Sequence, residues 1–170
     1  SLMKSGRTRV VLLFLSLLLF IRSVFLVAGP HPESNANLDR INTIVSELRN
    51  RLEMPQAIQA AIVAENDLMI SVEHVSAKAE DAGTFIMCFD EHFLARLDEE
   101  QLKAAIAHEL GHVWIFSHHP YLQTEALANQ IAMRVVSRQS LIKVYSKLWA
   151  HLGVSRNLDE LLGADAGSNM

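Results

Sequence analysis

The stretch LDEEQLKAAIAHELGHVWIF, residues 97–116, decides the fold. Asp98-Glu99-Glu100-Gln101 has the spacing of a capping box, in which the Asp98 side chain satisfies a free backbone amide and Gln101 reaches back. A helix is expected to start there and run to about Phe116. On that helix His108 and His112 stand four residues apart, so both imidazoles project from nearly the same face.

The elements on either side follow from periodicity and punctuation. Downstream, Ser117–Pro120 marks the entry to a second helix, because proline is tolerated in a first turn where its missing N–H costs nothing. Tyr121–Val136 is expected to continue helically. Ser140–Leu152 follows with the core stripe Leu141, Val144, Leu148, Leu152 and Gly153 as its stop, and Asn157–Leu162 can form one last turn. Upstream, Leu38, Ile41, Val45, Leu48 and Leu52 form a helical stripe that Pro55 ends. Between Pro55 and Asp98 the period changes. Ala57–Ala64, Leu68–Val75 and Thr84–Phe89 read as three strands, separated by Asn66-Asp67 and by Asp81 to Gly83. Asp90–Leu97 reads as a short helical turn. The expected fold class is α+β: a small sheet of about three strands packed on helices, with a zincin-like active-site helix followed by a glutamate-bearing helix.

With 170 residues, half of them apolar, the chain suffices for one compact domain with a real core and is too short for two ordinary ones. A formal charge of −4, with no arginine or lysine cluster interleaved with aromatics, argues against a nucleic-acid partner. Cys88 is the one cysteine, which rules out an intrachain disulfide and a cysteine-rich metal cage. No internal repeat or low-complexity tract is present.

The first 29 residues read as a targeting segment. Lys4, Arg7 and Arg9 precede the apolar run Val10–Ile21, and after Arg22 a second short run, Ser23–Val27, leads to Ala28 and Gly29. This pattern suits a cleaved signal peptide. It also suits a single membrane anchor, because Val10–Ala28 approaches the roughly 20 residues that span a bilayer. Either way the positive flank directs the rest of the chain across the membrane, to a secreted, periplasmic or anchored location, with membrane contact through this segment if it is uncleaved. Residues 30–36 read as a linker, 37–153 as the folded domain and 154–170 as a tail.

A histidine pair four residues apart on a helix can hold one Zn²⁺ ion, with nitrogen at about 2.0–2.1 Å from the metal. Glu109 lies about 100° round the helix from His108, which lets its carboxylate address water at the metal instead of becoming a ligand. Glu109 is therefore the candidate general base for hydrolysis of a peptide bond. A catalytic zinc needs a third protein ligand as well. His118 has the metzincin spacing, but Ile115 stands where that motif needs a glycine, and a continuing helix would carry His118 away. Glu125 is better placed, on the helix after the proline-marked turn. Asn129, one turn further, faces the same way and could hold a ligand imidazole in its metal-binding tautomer.

LDEEQLKAAIAHELGHV followed by TEALANQIA, residues 97–113 and 124–132, resembles the gluzincin zinc metallopeptidases of the group that includes the CAAX prenyl protease and the heat-shock membrane protease. The resemblance is greatest to the compact minigluzincins, and it spans about residues 68–152. It implies His108, His112 and Glu125 as ligands to one zinc ion, Glu109 as base, a peptide or protein substrate, and a strand edge beside the cleft that binds the substrate extended. The family usually has aspartate where this chain has Asn129, which weakens the orienting contact without removing it.

Other residues carry weaker signals. His118, His119 and Tyr121 could stabilise an oxyanion, but capping or surface roles suit them better. His74 and His92 read as packing residues, and Cys88 as an ordinary strand cysteine. The alternative function is a zinc-binding but inactive or latent protease scaffold acting as adaptor or chaperone, with the C-terminal segment 155–170 as a possible plug of the cleft. The intact Glu109 argues for the active enzyme.

Overall fold

Helix α3, Glu99–His118, is the element on which the others pack. Its capping box forms as the sequence predicts: Gln101 N–H donates to Asp98 Oδ1 at 2.8 Å, and Asp98 N–H donates to Gln101 Oε1 at 3.1 Å. Leu102, Ala104, Ala105, Ile106, Ala107, Leu110, Val113 and Ile115 are all buried, so α3 is apolar on most of its circumference and lies inside the molecule. The structure, a computed structural model, describes residues 32–75 and 84–163, with side chains from residue 35.

Among the described residues, five further helices and one sheet pack around that axis. In chain order the elements are α1 (Pro32–Arg51), β1 (Ala57–Val63), β2 (Ile70–Val75), β3 (Thr84–Asp90), α2 (Glu91–Leu94), α3, a 3₁₀ turn (Pro120–Leu122), α4 (Glu125–Ala132), α5 (Arg138–Leu152) and α6 (Leu158–Leu162). The expected α+β class, with three strands and a glutamate-bearing helix after the long one, is what the chain adopts. The strand order is β1-β3-β2. β1 runs parallel to β3, from Ala57 opposite Thr84 to Val63 opposite Asp90. β2 runs antiparallel to β3, from Ile70 opposite Phe89 to Val75 opposite Thr84. Phe85, Met87 and Phe89 alternate along the central strand and are buried, the two-residue period of a sheet with one face on a core. Ile41, Ile44, Val45 and Leu48 of α1 join that core.

Asp90 ties the sheet to the helices. One carboxylate oxygen caps α2 by accepting from Phe93 N–H at 2.7 Å, and the other accepts from Asn66 N–H at 3.1 Å in the β1–β2 connection. Glu100 of α3 accepts from Ser140 Oγ at 2.8 Å and from Lys143 Nζ at 2.6 Å, which fastens α5 to the start of α3.

Two expectations are corrected. Helix α1 begins at Pro32, inside the stretch read as linker, because proline at a first helical position has no N–H to leave unpaired. Tyr121–Val136 is not one helix. After the 3₁₀ turn, Thr124 is extended and its hydroxyl accepts from Leu127 N–H at 3.1 Å, so it starts a new helix, which ends at Ala132. The last turn expected over Asn157–Leu162 forms as α6, within the segment read as tail, and buries Leu162 against the domain. The opening stretch expected to act as a targeting segment and residues 164–170 lie outside the described residues. Among the described residues no helix is long and apolar enough to cross a membrane.

Gly111 faces α4 at very short range. A Cβ built there would sit on the Ala128 carbonyl oxygen and 2.9 Å from that residue's carbonyl carbon and Cα. The obstacle is backbone, so it cannot swing aside. Gly111→Ala is expected to lower the unfolding free energy by about 1–3 kcal/mol, the usual range for overpacking, as measured by chemical denaturation. An unchanged midpoint would show that α4 yields freely.

Candidate metal centre

Because Gly111 lets α4 lie against α3, the start of α4 reaches the histidine face of α3. His108 and His112 come from successive turns of α3, and Glu125 is the first residue of α4, held there by the Thr124 cap. The two imidazoles stand edge to face, with their Nε2 atoms 3.2 Å apart. Glu125 Oε2 is 3.2 Å from His108 Nε2, and Oε1 is 3.5 Å from His112 Nε2. Among the described residues these three form the one group of histidine, cysteine or acidic side chains able to hold a metal ion.

These separations test whether zinc fits. Ligands at about 2.0–2.1 Å from a tetrahedral ion stand about 3.3–3.4 Å from one another. The two nitrogens stand 3.2 Å apart, and each has a different oxygen of the Glu125 carboxylate at a similar distance, 3.2 Å for His108 and 3.5 Å for His112. Glu125 Oε1 is also buried, with His112 Nε2 no nearer than 3.5 Å. Two imidazole nitrogens and a carboxylate so close together are costly unless positive charge lies between them. The donor set, two nitrogens and one oxygen, suits zinc.

The protonation equilibria carry the same message. Burial works against the Glu125 carboxylate, but hydrogen bonds to His108 and His112 overcome it and hold the carboxyl well below the ordinary range. Burial likewise opposes charge on His112, yet the hydrogen bond to Glu125 and the nearby Glu109 carboxylate raise its imidazole above the usual histidine value. A metal ion there would compete with protons for the same atoms.

Glu109 is partly buried beside His108 and stands outside the ligand group. Burial pushes its carboxyl above the ordinary glutamate value, with the attraction of His108 and His112 opposing and the Glu125 charge adding. Raised proton affinity next to a metal-binding cluster suits a group that must take and return a proton.

Asn129, fully buried one turn along α4 from Glu125, accepts from His108 Nδ1 through Oδ1 at 2.8 Å, as its position predicts. Three further partners were not legible in the sequence. Gln123 makes two contacts to His112, Oε1 with Nδ1 and Nε2 with the backbone oxygen, both at 3.1 Å. Tyr145 of α5 is buried with its hydroxyl 2.8 Å from Asn129 Nδ2 and its ring edge-on to His108. The Leu161 carbonyl of α6 accepts from Asn129 Nδ2 at 3.0 Å. Tyr145 adjoins Val144 in the apolar stripe and so reads as core. The other two contacts join segments whose meeting no local pattern announces.

The remaining candidates lie elsewhere. α3 continues straight through Ile115, so His118 turns away, stacks on Trp114 with ring centroids 3.9 Å apart, and bonds the Trp114 carbonyl. Tyr121 is almost completely exposed, at 98 %. His74 packs between Phe85 and Phe116. Cys88 is a half-buried free thiol on β3, outside the ligand group.

A small α+β domain with a His-His-Glu cluster between consecutive helices defines the class: a metallopeptidase-type centre. The sequence model of peptidase family M48 matches residues 35–167, from α1 to beyond α6, and the chain belongs to that family of zinc-dependent peptidases. No curated protein matches the chain, and no solved structure does.

The direction of the Glu109 shift makes a test of the metal-free protein. A carboxyl whose folded-state pKa lies above its unfolded value of about 4.3 costs stability once it ionises. Glu109→Gln is therefore expected to raise the melting temperature of the metal-free protein at pH 7. The gain should shrink as pH falls below the unfolded value, where both states hold the proton. Equal melting curves at both pH values would contradict the assigned environment.

Proposed function

We propose that this chain is a zinc-dependent endopeptidase of the gluzincin type, nearest in kind to the compact minigluzincins of the CAAX prenyl protease and heat-shock membrane protease group. His108, His112 and Glu125 hold one zinc ion, and Glu109 is the general base. The observation that carries this reading is the convergence of the two Nε2 atoms, 3.2 Å apart, on the Glu125 carboxylate, whose two oxygens lie 3.2 and 3.5 Å from them. When bound, zinc polarises the scissile carbonyl and acidifies a water molecule.

The chain's own residues supply the rest. Glu109 takes the proton of the attacking water and delivers it to the departing amine. The substrate is a peptide or protein bound extended. Three features support β2 as the strand it would join: β2 is the sheet's outer strand next to α3, it runs antiparallel to β3, and its His74 touches Phe116. Phe116 follows His112 by four residues and so lies on the ligand face of α3. An edge strand there offers unpaired backbone groups that lead to the metal centre. The basic and apolar opening segment supports export of the domain, with that segment removed or kept as an anchor.

Purified protein reconstituted with zinc should cleave an unstructured protein such as casein, lose activity to a chelator and regain it with added zinc. Glu109→Gln should keep one zinc per chain and slow cleavage by about 10²–10⁴-fold, the contribution expected of a positioned acid–base group. Cleavage by Glu109→Gln at the wild-type rate would refute the mechanism.

A further inference from the structure

Both candidate ligand imidazoles meet a carboxamide at Nδ1, and each carboxamide is itself held by a backbone carbonyl. Asn129 Nδ2 lies 3.0 Å from Leu161 O, and Gln123 Nε2 lies 3.1 Å from the oxygen of His112 itself. A carbonyl oxygen only accepts, so the NH₂ end of each amide must face it. Turning either amide over would set two acceptors against each other at about hydrogen-bonding distance. With that end fixed, the amide oxygen must face the ring. It too only accepts, so each Nδ1 carries the proton and each Nε2 presents its lone pair to the other donors of the cluster.

We propose that Gln123 is a positioning residue for His112, and that with Asn129 it forms a matched pair of carbonyl-pinned carboxamides setting both ligand imidazoles in the Nδ1–H form. The proposal rests on the reading that these histidines hold the metal. Gln123 grips ring and backbone of the same residue, so it restrains rotation of the imidazole as well as its tautomer. It also stands two residues before Glu125, next to the Thr124 cap. One short segment thus orients the second ligand and delivers the third. The pinning also accounts for an amide at position 129: a carboxylate there would set an oxygen against the Leu161 carbonyl, where Asn129 donates.

Four proteins test this: the full chain, Gln123→Met, Gln123→Glu and His112→Ala, each titrated with zinc against a chromophoric chelator. Methionine matches glutamine in length and offers no strong acceptor, so zinc affinity should fall by about 10–100-fold, the usual effect of removing a partner of a ligand histidine. Glutamate still accepts from Nδ1–H but sets its other oxygen against the His112 carbonyl where Gln123 donates, so it should recover only part of the affinity lost in Gln123→Met, a recovery that a merely space-filling role would not produce. Long-range ¹H–¹⁵N spectra of the zinc-loaded protein should show both rings protonated at Nδ1 and metal-bound at Nε2. Wild-type affinity in Gln123→Met, an equal loss in Gln123→Glu, or Nδ1 ligation of His112 would overturn the clamp while leaving the metal site standing. Undiminished zinc binding by His112→Ala would instead overturn the site reading, and the clamp with it.

Discussion

The contact between Gly111 and the backbone of Ala128 is the constraint on which the centre depends. Helices usually approach to 8–10 Å because side chains separate them. Here a hydrogen in place of a side chain removes that spacer, and α4 seats its own backbone against α3. Glu125 and Asn129 lie on either side of Ala128 in α4, so the same approach that brings the carboxylate to the two Nε2 atoms brings the amide to His108 Nδ1. A wider crossing would move both away at once. The glycine of HELGH is thus as much a part of the site as the histidines around it.

Around that approach the protein concentrates negative and lone-pair charge in a partly buried place. Glu125, Glu109 and two imidazole nitrogens share one region, and the burial of Glu109 raises its proton affinity while the histidines suppress that of Glu125. Two carboxylates on one site are thereby given opposite tendencies by their surroundings, the condition under which one acts as a ligand and the other as a base. The surrounding partners are neutral: two carboxamides, a phenol and backbone carbonyls. The Nδ1 atoms of His108 and His112 meet carboxamide oxygens, and the carboxylates of the cluster are Glu109 and Glu125.

The sheet and the last helix serve the centre from opposite sides. β2 lies against the end of α3, with the His74, Phe85 and Phe116 rings packed where strand and helix meet. α6 is only five residues long, yet its Leu161 carbonyl and buried Leu162 make it a wall behind Asn129. Asn129 can therefore be read only together with a segment more than thirty residues away. That is why its contact to His108 could be anticipated and its orientation could not.

What the sequence determined by itself is what short-range geometry controls. The capping box at Asp98, the four-residue spacing of His108 and His112, the turn of Glu109 away from them, the alternation of Phe85, Met87 and Phe89, and the stop at Gly153 all act within a few residues. Fixed helical and strand periods therefore make them readable. The break at Thr124 is local too, yet Pro120 suits the start of a long helix as well as it suits the single 3₁₀ turn that forms. Tertiary structure alone decided which polar group joined the pair: Glu125 came within reach and His118 was carried off, because one depends on how closely α4 crosses α3 and the other on α3 staying straight. It also decided the partners Gln123, Tyr145 and Leu161, and the elevated proton affinity of Glu109. Those properties depend on which segments exclude water from one another, and spacing along the chain does not encode that.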